Sequence, residues 1–418
     1  MTYIHSHSIT VCSNSDTYGL YYINILWKRS FSCKEKKWLG KLSISLLVVL
    51  SLLAVSCAKE EPAQAAAPAA PAASQQAASS DAIPDMIDMT MPSSTVTLRL
   101  AYDDPTLWPK QANVPDPEHA QALLFKDYVE SQTGGAVKID LYGAGQLGTY
   151  RETLEMVQQG SMDINIGTGS LGSFFDPFQI FTIPYLFSSD DIAVGYFERS
   201  EWWADLMDQM ENETGMKYLG MGQNGWRNFT NNVREIRKPE DLKGIKFRVM
   251  QSPVYVRMIE SMGGSAVPIA WNELYTALQT GVVDGEENPI SSIALGKLQE
   301  VQKYLTMDGH VWSENVMVMN SRKFNQMPIG VQQILVQGGM LAARANNVAE
   351  RMVSNIVKFE EVAAQMQVYF PTAGEKAEFR KVSQPAVIEY LEGELGKDMV
   401  EGFLTSVKQM EAELGWRR

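Results

Sequence analysis

After Cys57 the chain contains no cysteine, and of its four histidines only His119 and His310 fall in that long remainder. No disulfide can brace the folded part, and no cysteine–histidine nucleophile can assemble there. Two histidines so far apart in sequence give a histidine-dependent triad little to draw on. HExxH, GxSxG and P-loop lysine patterns are all missing. Positive charge is also short: 36 lysines and arginines face 49 acids, a formal charge of −13. Six of those cations but only two of the acids precede Cys57, so the remainder is more acidic still. Such a chain lacks the basic face that nucleic acid requires. Carboxylates are plentiful, so an acid–base pair stays open on counts alone.

What is present begins with an address. Lys34, Lys36, Lys37 and Lys41 precede a strongly apolar stretch, 42–56. Its length suits a signal-peptide core and falls short of the roughly 20 residues of a membrane span. It runs through Leu53, Ala54, Val55 and Ser56 into Cys57. That ending resembles a bacterial lipobox, with Ala54 where leucine is usual, and it predicts diacylation of Cys57; an ordinary signal peptide with an incidental cysteine is the alternative. Two acyl chains are enough for stable anchoring. The stretch 1–33 is expected to lie upstream of the true start, giving an extension and signal over 1–57. Residues 58–95, rich in Ala, Pro, Gln and Ser, are expected to be a disordered tether spanning roughly 30 Å.

From Val96 the pattern changes. Val96, Leu98 and Leu100 alternate with polar residues as in a strand. Asp116 and Pro117 offer an N-cap and first-turn proline, with Ala120, Leu124 and Tyr128 along one helical face. Val137, Ile139 and Leu141 alternate again. Thr149 and Glu152 form a capping box for a helix ending near Gly160, and 162–166 is a third strand. This alternation predicts an α/β fold with a mainly parallel sheet. A second such unit is expected from about Lys217, with strands over 245–249 and 266–269, a helix capped by Asn272 and closed by Gly281, and a strand over 316–319 returning to the first unit. Leu341, Ala345, Val348, Met352, Ile356 and Phe359 recur at helical spacing, predicting a long helix with that stripe in the core.

Gly167, Gly169 and Gly172 match GxGxxG after a strand, but the following residues do not read as the helix a dinucleotide site needs. A tight loop at a strand's carboxyl end, where α/β sheets bind ligands, is the better reading. Arg248 sits between Phe247 and Val249, partly shielded and in need of a partner. Its planar fork suits a carboxylate. Spacing alone leaves two options, a bound ligand or an internal salt bridge.

The residues 227–231, 239–244, 247–249, 273–279 and 283–289, reading RNFTN, PEDLKG, FRV, ELYTALQ and VDGEENP, resemble the solute-binding subunit of TRAP transporters, the DctP-type family. Gly145 to Gly148 with Arg151, the run 183–187, the run 301–305 and Gly309 to Val311 match in the same order. The resemblance implies a two-domain periplasmic-binding-protein-like fold with a hinged cleft and a long C-terminal helix bracing both domains. The domains expected are 96–224 with about 314–354, and 225–313 with about 355–418. It implies that Arg248 pairs with the ligand carboxylate, that Arg227 supports the same anion, and that Asn288 donates to it. Trp271, where phenylalanine is common, is expected to pack on the ligand unless it is a core tryptophan. Gln251 stands where ligand polar groups are often met. Tyr102, Asp103 and Arg151 are candidates by location, with ordinary loop or interdomain contacts as their alternative. The segment from Asp103 to Pro117, carrying Trp108, is longer than usual and would roof the cleft.

The function implied is an extracytoplasmic, lipid-anchored receptor for a small organic acid, sugar acids ahead of C4-dicarboxylates. It would deliver that acid to small and large membrane subunits, with no enzymatic activity, cofactor, metal or nucleic acid. An ABC-type receptor, a secreted carboxylate-dependent hydrolase or lyase, and a scaffold lipoprotein without ligand are the competing readings.

Overall fold

The computed structural model describes residues 90–108 and 111–415. The expected signal, Cys57 and most of the tether lie outside them. Strand β1 (Val96–Ala101) leads to a short hairpin, β2 (Leu107–Trp108) with β3 (Gln111–Pro115), which forms the long segment anticipated before Pro117. Helix α1 (Pro117–Gln132) is capped by the Asp116 carboxylate, which accepts from the Glu118 and His119 amides. Strand β4 (Val137–Tyr142) follows, then α2 (Tyr150–Gln159), whose Thr149–Glu152 capping box and left-handed Gly160 stop are as expected, then β5 (Ile164–Gly167).

Helices α3 (Asp190–Arg199) and α4 (Glu201–Thr214) precede a 16-residue strand, β6 (Met216–Asn231). The next units are β7 (Lys246–Val249), α5 (Pro253–Ser261), β8 (Ser265–Pro268), α6 (Trp271–Gln279), β9 (Gly285–Asn288) and α7 (Ile290–Leu295). A 17-residue strand, β10 (Tyr304–Asn320), returns, followed by α8 (Ser321–Asn325) and α9 (Ile329–Met352). A π-helical turn, α10 (Phe359–Ala363), β11 (Gln367–Tyr369), α11 (Ala373–Leu395) and α12 (Lys397–Glu413) complete the chain.

One sheet carries nine of these strands in the order β4-β1-β5-β10-β6-β9-β7-β8, with β11 beside β10. It is less parallel than the sequence alternation implies. β4, β1 and β5 form a parallel wing, and β9, β7 and β8 a second. Between them β10 and β6 run antiparallel to each other and to their outer neighbours. Both crossing strands are buried along most of their length, so each belongs to both wings.

Three findings differ from the sequence reading. Helix α6 begins at Trp271, with Ala270 as its cap residue and no side-chain cap. On α1 the buried face is Gln121, Ala122, Phe125 and Val129, while Leu124 is exposed. The stripe on the long helix is also outward: Val348 is 69% and Ile356 73% exposed, and Leu341 and Met352 are exposed too. The inward face of α9 is Gly338, Gly339, Ala342, Ala343, Asn346 and Glu350. The reason is proximity. A Cβ on Gly339 would lie 2.4 Å from the Leu219 carbonyl oxygen of β6, so only small residues let the helix sit this near the sheet. Gly339→Ala is therefore expected to lower the urea unfolding midpoint, at about 1–3 kcal/mol of overpacking. Alanine's better helix propensity, about 1 kcal/mol, acts in the opposite direction, so a stabilised variant would show that the contact yields.

Candidate functional site

The two wings enclose a cavity of about 670 Å³. Its first-wing wall includes Asp103 and Asp104 after β1, Arg151 on α2, and Thr168, Gly169 and Ser170 after β5. Its second-wing wall includes Arg248, Met250 and Gln251 at the end of β7, Trp271 at the start of α6, and Asn288 at the end of β9. Arg227 and Asn224 come from the crossing strand β6. The glycine loop thus lies in the lining, with Gly169 at φ +70°. A Cβ there would meet the Met250 sulfur at 2.7 Å, so glycine allows the two walls to touch. Ser252, the residue after Gln251, donates from Oγ to Gln179 Oε1 at 3.2 Å.

Strand alternation buries Phe247 and Val249 in the core and turns Arg248 to the other face. Arg248 is 3% exposed. Among the described residues its one hydrogen bond runs from Nε to the Ile269 carbonyl oxygen, 2.9 Å, and no carboxylate comes within ion-pairing distance. Burial and then the nearby Arg227 charge pull its pKa down to about 10, which leaves it protonated at neutral pH. The internal salt bridge that spacing left open is not made among the described residues.

Arg227 differs. It is fully buried and donates from Nε to Glu287 Oε2 at 2.5 Å and from Nη2 to Glu287 Oε1 at 2.9 Å. Glu287 also faces His310 Nε2 at 3.1 Å, and His310 Nδ1 lies 3.0 Å from Asp308. Adjacent strands β9, β6 and β10 supply this row. Burial alone would lower the His310 pKa, but Asp308 and Glu287 override it and hold the imidazole at about 9. Asp308, His310, Glu287 and Arg227 therefore alternate in sign and cancel as a row. The Arg248 charge is left over, although Arg227 Nη1 remains without a partner. Asn288 lines the cavity while its Nδ2 donates to Glu286 at 2.5 Å.

The remaining candidates divide. Asp103 lines the cavity, and its Oδ1 is buried without a partner. Burial, with the Glu152 charge nearby, pushes its carboxyl up to about 7 despite the Tyr150 backbone N–H beside it. Trp271 lines the cavity and also packs on the core of the second wing. Gln251 is exposed at the edge. Arg151 is exposed, pairs with Glu155 at 3.2 Å and lies over the Phe174 ring. Tyr102 is not in the lining: its ring packs where a Gly143 Cβ would stand, and its hydroxyl bonds to His119 Nδ1 at 2.6 Å. The sequence reading missed Asp104, Thr168, Asn224 and Ser292 in the lining, and the whole Glu287–His310 row behind it. Among the described residues no group of three His, Cys, Asp or Glu side chains could hold a metal ion.

Carboxyls raised by burial and a histidine held at about 9 titrate with the same sign. Glu286 and Glu314 stand at about 7 and Glu350 at about 8, burial being the main cause for each. Each pKa is raised on folding. The associated stability is thus full below the unfolded value and is lost as pH rises through the folded one. The urea midpoint is expected to fall between pH 6.5 and 9.5, and His310→Gln should make that fall shallower. A midpoint rising over the same range would contradict the assigned directions.

A cleft between two sheet wings, joined by crossing strands and lined by a buried arginine with no carboxylate partner among the described residues, is the arrangement of a two-domain solute-binding protein. The bacterial extracellular solute-binding protein family 7 (DctP) model matches residues 110–393, and the chain belongs to that family, the solute receptors of TRAP transporters. Members of the family are substrate-binding receptors, not enzymes. A solute-binding protein of Verminephrobacter eiseniae is 34% identical over 223 residues, 53% of this chain and 66% of that protein. The ectoine-binding periplasmic protein TeaA of Halomonas elongata is 30% identical over 320 residues, 75% of this chain and 93% of that protein. Among solved structures, the sugar acid binding protein DctPAm of Advenella mimigardefordensis, in complex with galactonate, has TM-score 0.69 and 28% identity, covering 76% of this chain and 99% of that one.

Proposed function

We propose that this receptor binds a small organic acid by its carboxylate, with Arg248 as the principal cation. It then presents the acid to the small and large membrane subunits of a TRAP transporter and performs no chemistry on it. The observation carrying this reading is the Arg248 guanidinium, buried in the cavity wall with no carboxylate partner among the described residues. A buried cation without a counter-charge is costly, and a site that gains one from its ligand recovers that cost on binding. Arg227, neutralised by Glu287, contributes its spare Nη1, and Asn288 contributes its amide. Galactonate, the ligand of DctPAm, is a carboxylate with a hydroxylated chain, and a sugar acid of this kind suits the polar lining and the flat face of Trp271.

Closure would bring together the lobes 96–224 with about 314–354 and 225–313 with about 355–418. The ligand's higher affinity for the closed form would shift the population. Diacylated Cys57 would hold the receptor at the membrane surface outside the cytoplasm, with the tether giving it reach. A thermal-shift screen against aldonates, uronates, dicarboxylates, keto acids and ectoine tests the reading. A true ligand at 100 times its Kd raises stability by about 2.7 kcal/mol. No stabilisation by any carboxylate would refute it.

A further inference from the structure

The cavity is polarised. Towards its second wing it carries hydrogen-bond donors: Arg248, with no carboxylate partner among the described residues, Arg227 Nη1 from the crossing strand, and Asn288, whose Nδ2 also donates to Glu286. Its first-wing end carries acids instead, with Asp103, Asp104 and Glu152 all in the lining. Among the described residues the one cation in that part of the lining is Arg151, which is exposed and already paired with Glu155. Among the described residues, two cavity-lining groups at this end have buried oxygens with no partner, Asp103 Oδ1 and Thr168 Oγ1. The Asp103 oxygen is a buried acceptor whose cost a ligand donor can restore, while the Thr168 hydroxyl can accept or donate. Burial already opposes the ionisation of Asp103 and Asp104, so a second carboxylate placed beside them would add a charge where charge is costly.

Resting on the receptor reading above, we propose that the ligand is a monocarboxylate whose far end carries hydrogen-bond donors, hydroxyl or ammonium, and that Asp103 selects for them against dicarboxylates. This narrows the sugar-acid and C4-dicarboxylate alternatives to the first.

Matched pairs test it by calorimetry on the full chain. Galactonate and galactarate share one carbon skeleton and differ in a terminal CH2OH or carboxylate; erythronate and meso-tartrate are related in the same way with four carbons. The monocarboxylate of at least one pair is expected to bind at least tenfold more tightly than its diacid. Asp103→Asn, which removes the charge and keeps the shape, should bring that ratio towards one. 4-Aminobutanoate separates the donor types: a cation-selecting Asp103 loses it in Asp103→Asn, whereas a hydroxyl-selecting one binds it no better than butanoate. Diacids that bind the parent as tightly as their partners overturn the inference and leave the receptor reading intact. An unchanged ratio in Asp103→Asn, with the variant's melting temperature at the parent's, also overturns it. If no member of any pair binds, the inference falls, and the receptor reading falls with it only if the wider thermal-shift screen also finds no carboxylate that stabilises the protein.

Discussion

Arg248→Ala is expected to cut affinity for the carboxylate ligand by at least 100-fold and to leave the unliganded protein as stable as the parent or more so. The two effects have one cause. Truncating one partner of a buried, hydrogen-bonded charge pair costs about 2–5 kcal/mol of binding. Yet in the empty protein Arg248 has no anionic partner among the described residues and makes one hydrogen bond, to the Ile269 carbonyl. Removing it relieves a desolvated charge. Arg248→Lys should fall between, because a point charge replaces a fork that matches two carboxylate oxygens. Calorimetry for affinity and thermal melting without ligand measure both sides. A variant that loses binding only because it unfolds would deny Arg248 the role assigned here.

Glu287→Ala is expected to do the reverse and damage the fold first. It leaves Arg227 and His310 buried without the carboxylate they share. Breaking a buried pair by removing one partner costs about 3–5 kcal/mol, and here two cations lose the same anion. The urea midpoint should drop accordingly. Glu287→Gln keeps an acceptor for Arg227 and should lose less. If Glu287→Ala melts with the parent, the row is not holding the crossing strands together.

Much of this fold was legible because the signals are local. Asp116 with Pro117 and Thr149 with Glu152 announce helices within four residues, and β1 and β4 alternate as half-buried strands do. The two longest strands announced little. β6 carries Gly220, Gly222, Gln223, Asn224, Arg227 and Asn228, and it is buried on both faces, so no period of two marks it. The face of α9 was misread for a related reason. Large apolar residues at helical spacing normally point inward, but here the sheet approaches so closely that glycine and alanine face it. Arg248 could be picked out because it breaks an apolar strand. Glu287 and His310 could not, since their meeting depends on the pairing of β9, β6 and β10 across the middle of the sheet. Tyr102 was placed correctly at the end of its strand, but which way its ring turns is decided by space over Gly143.

The central claim is that a ligand carboxylate neutralises Arg248. Its most direct test is a calorimetric comparison of the best-bound acid with its neutral primary amide, in the parent and in Arg248→Ala. The parent should prefer the acid by at least 100-fold, and the variant should show little preference. A parent that binds the amide as well as the acid, or a variant that keeps the full preference, would contradict it.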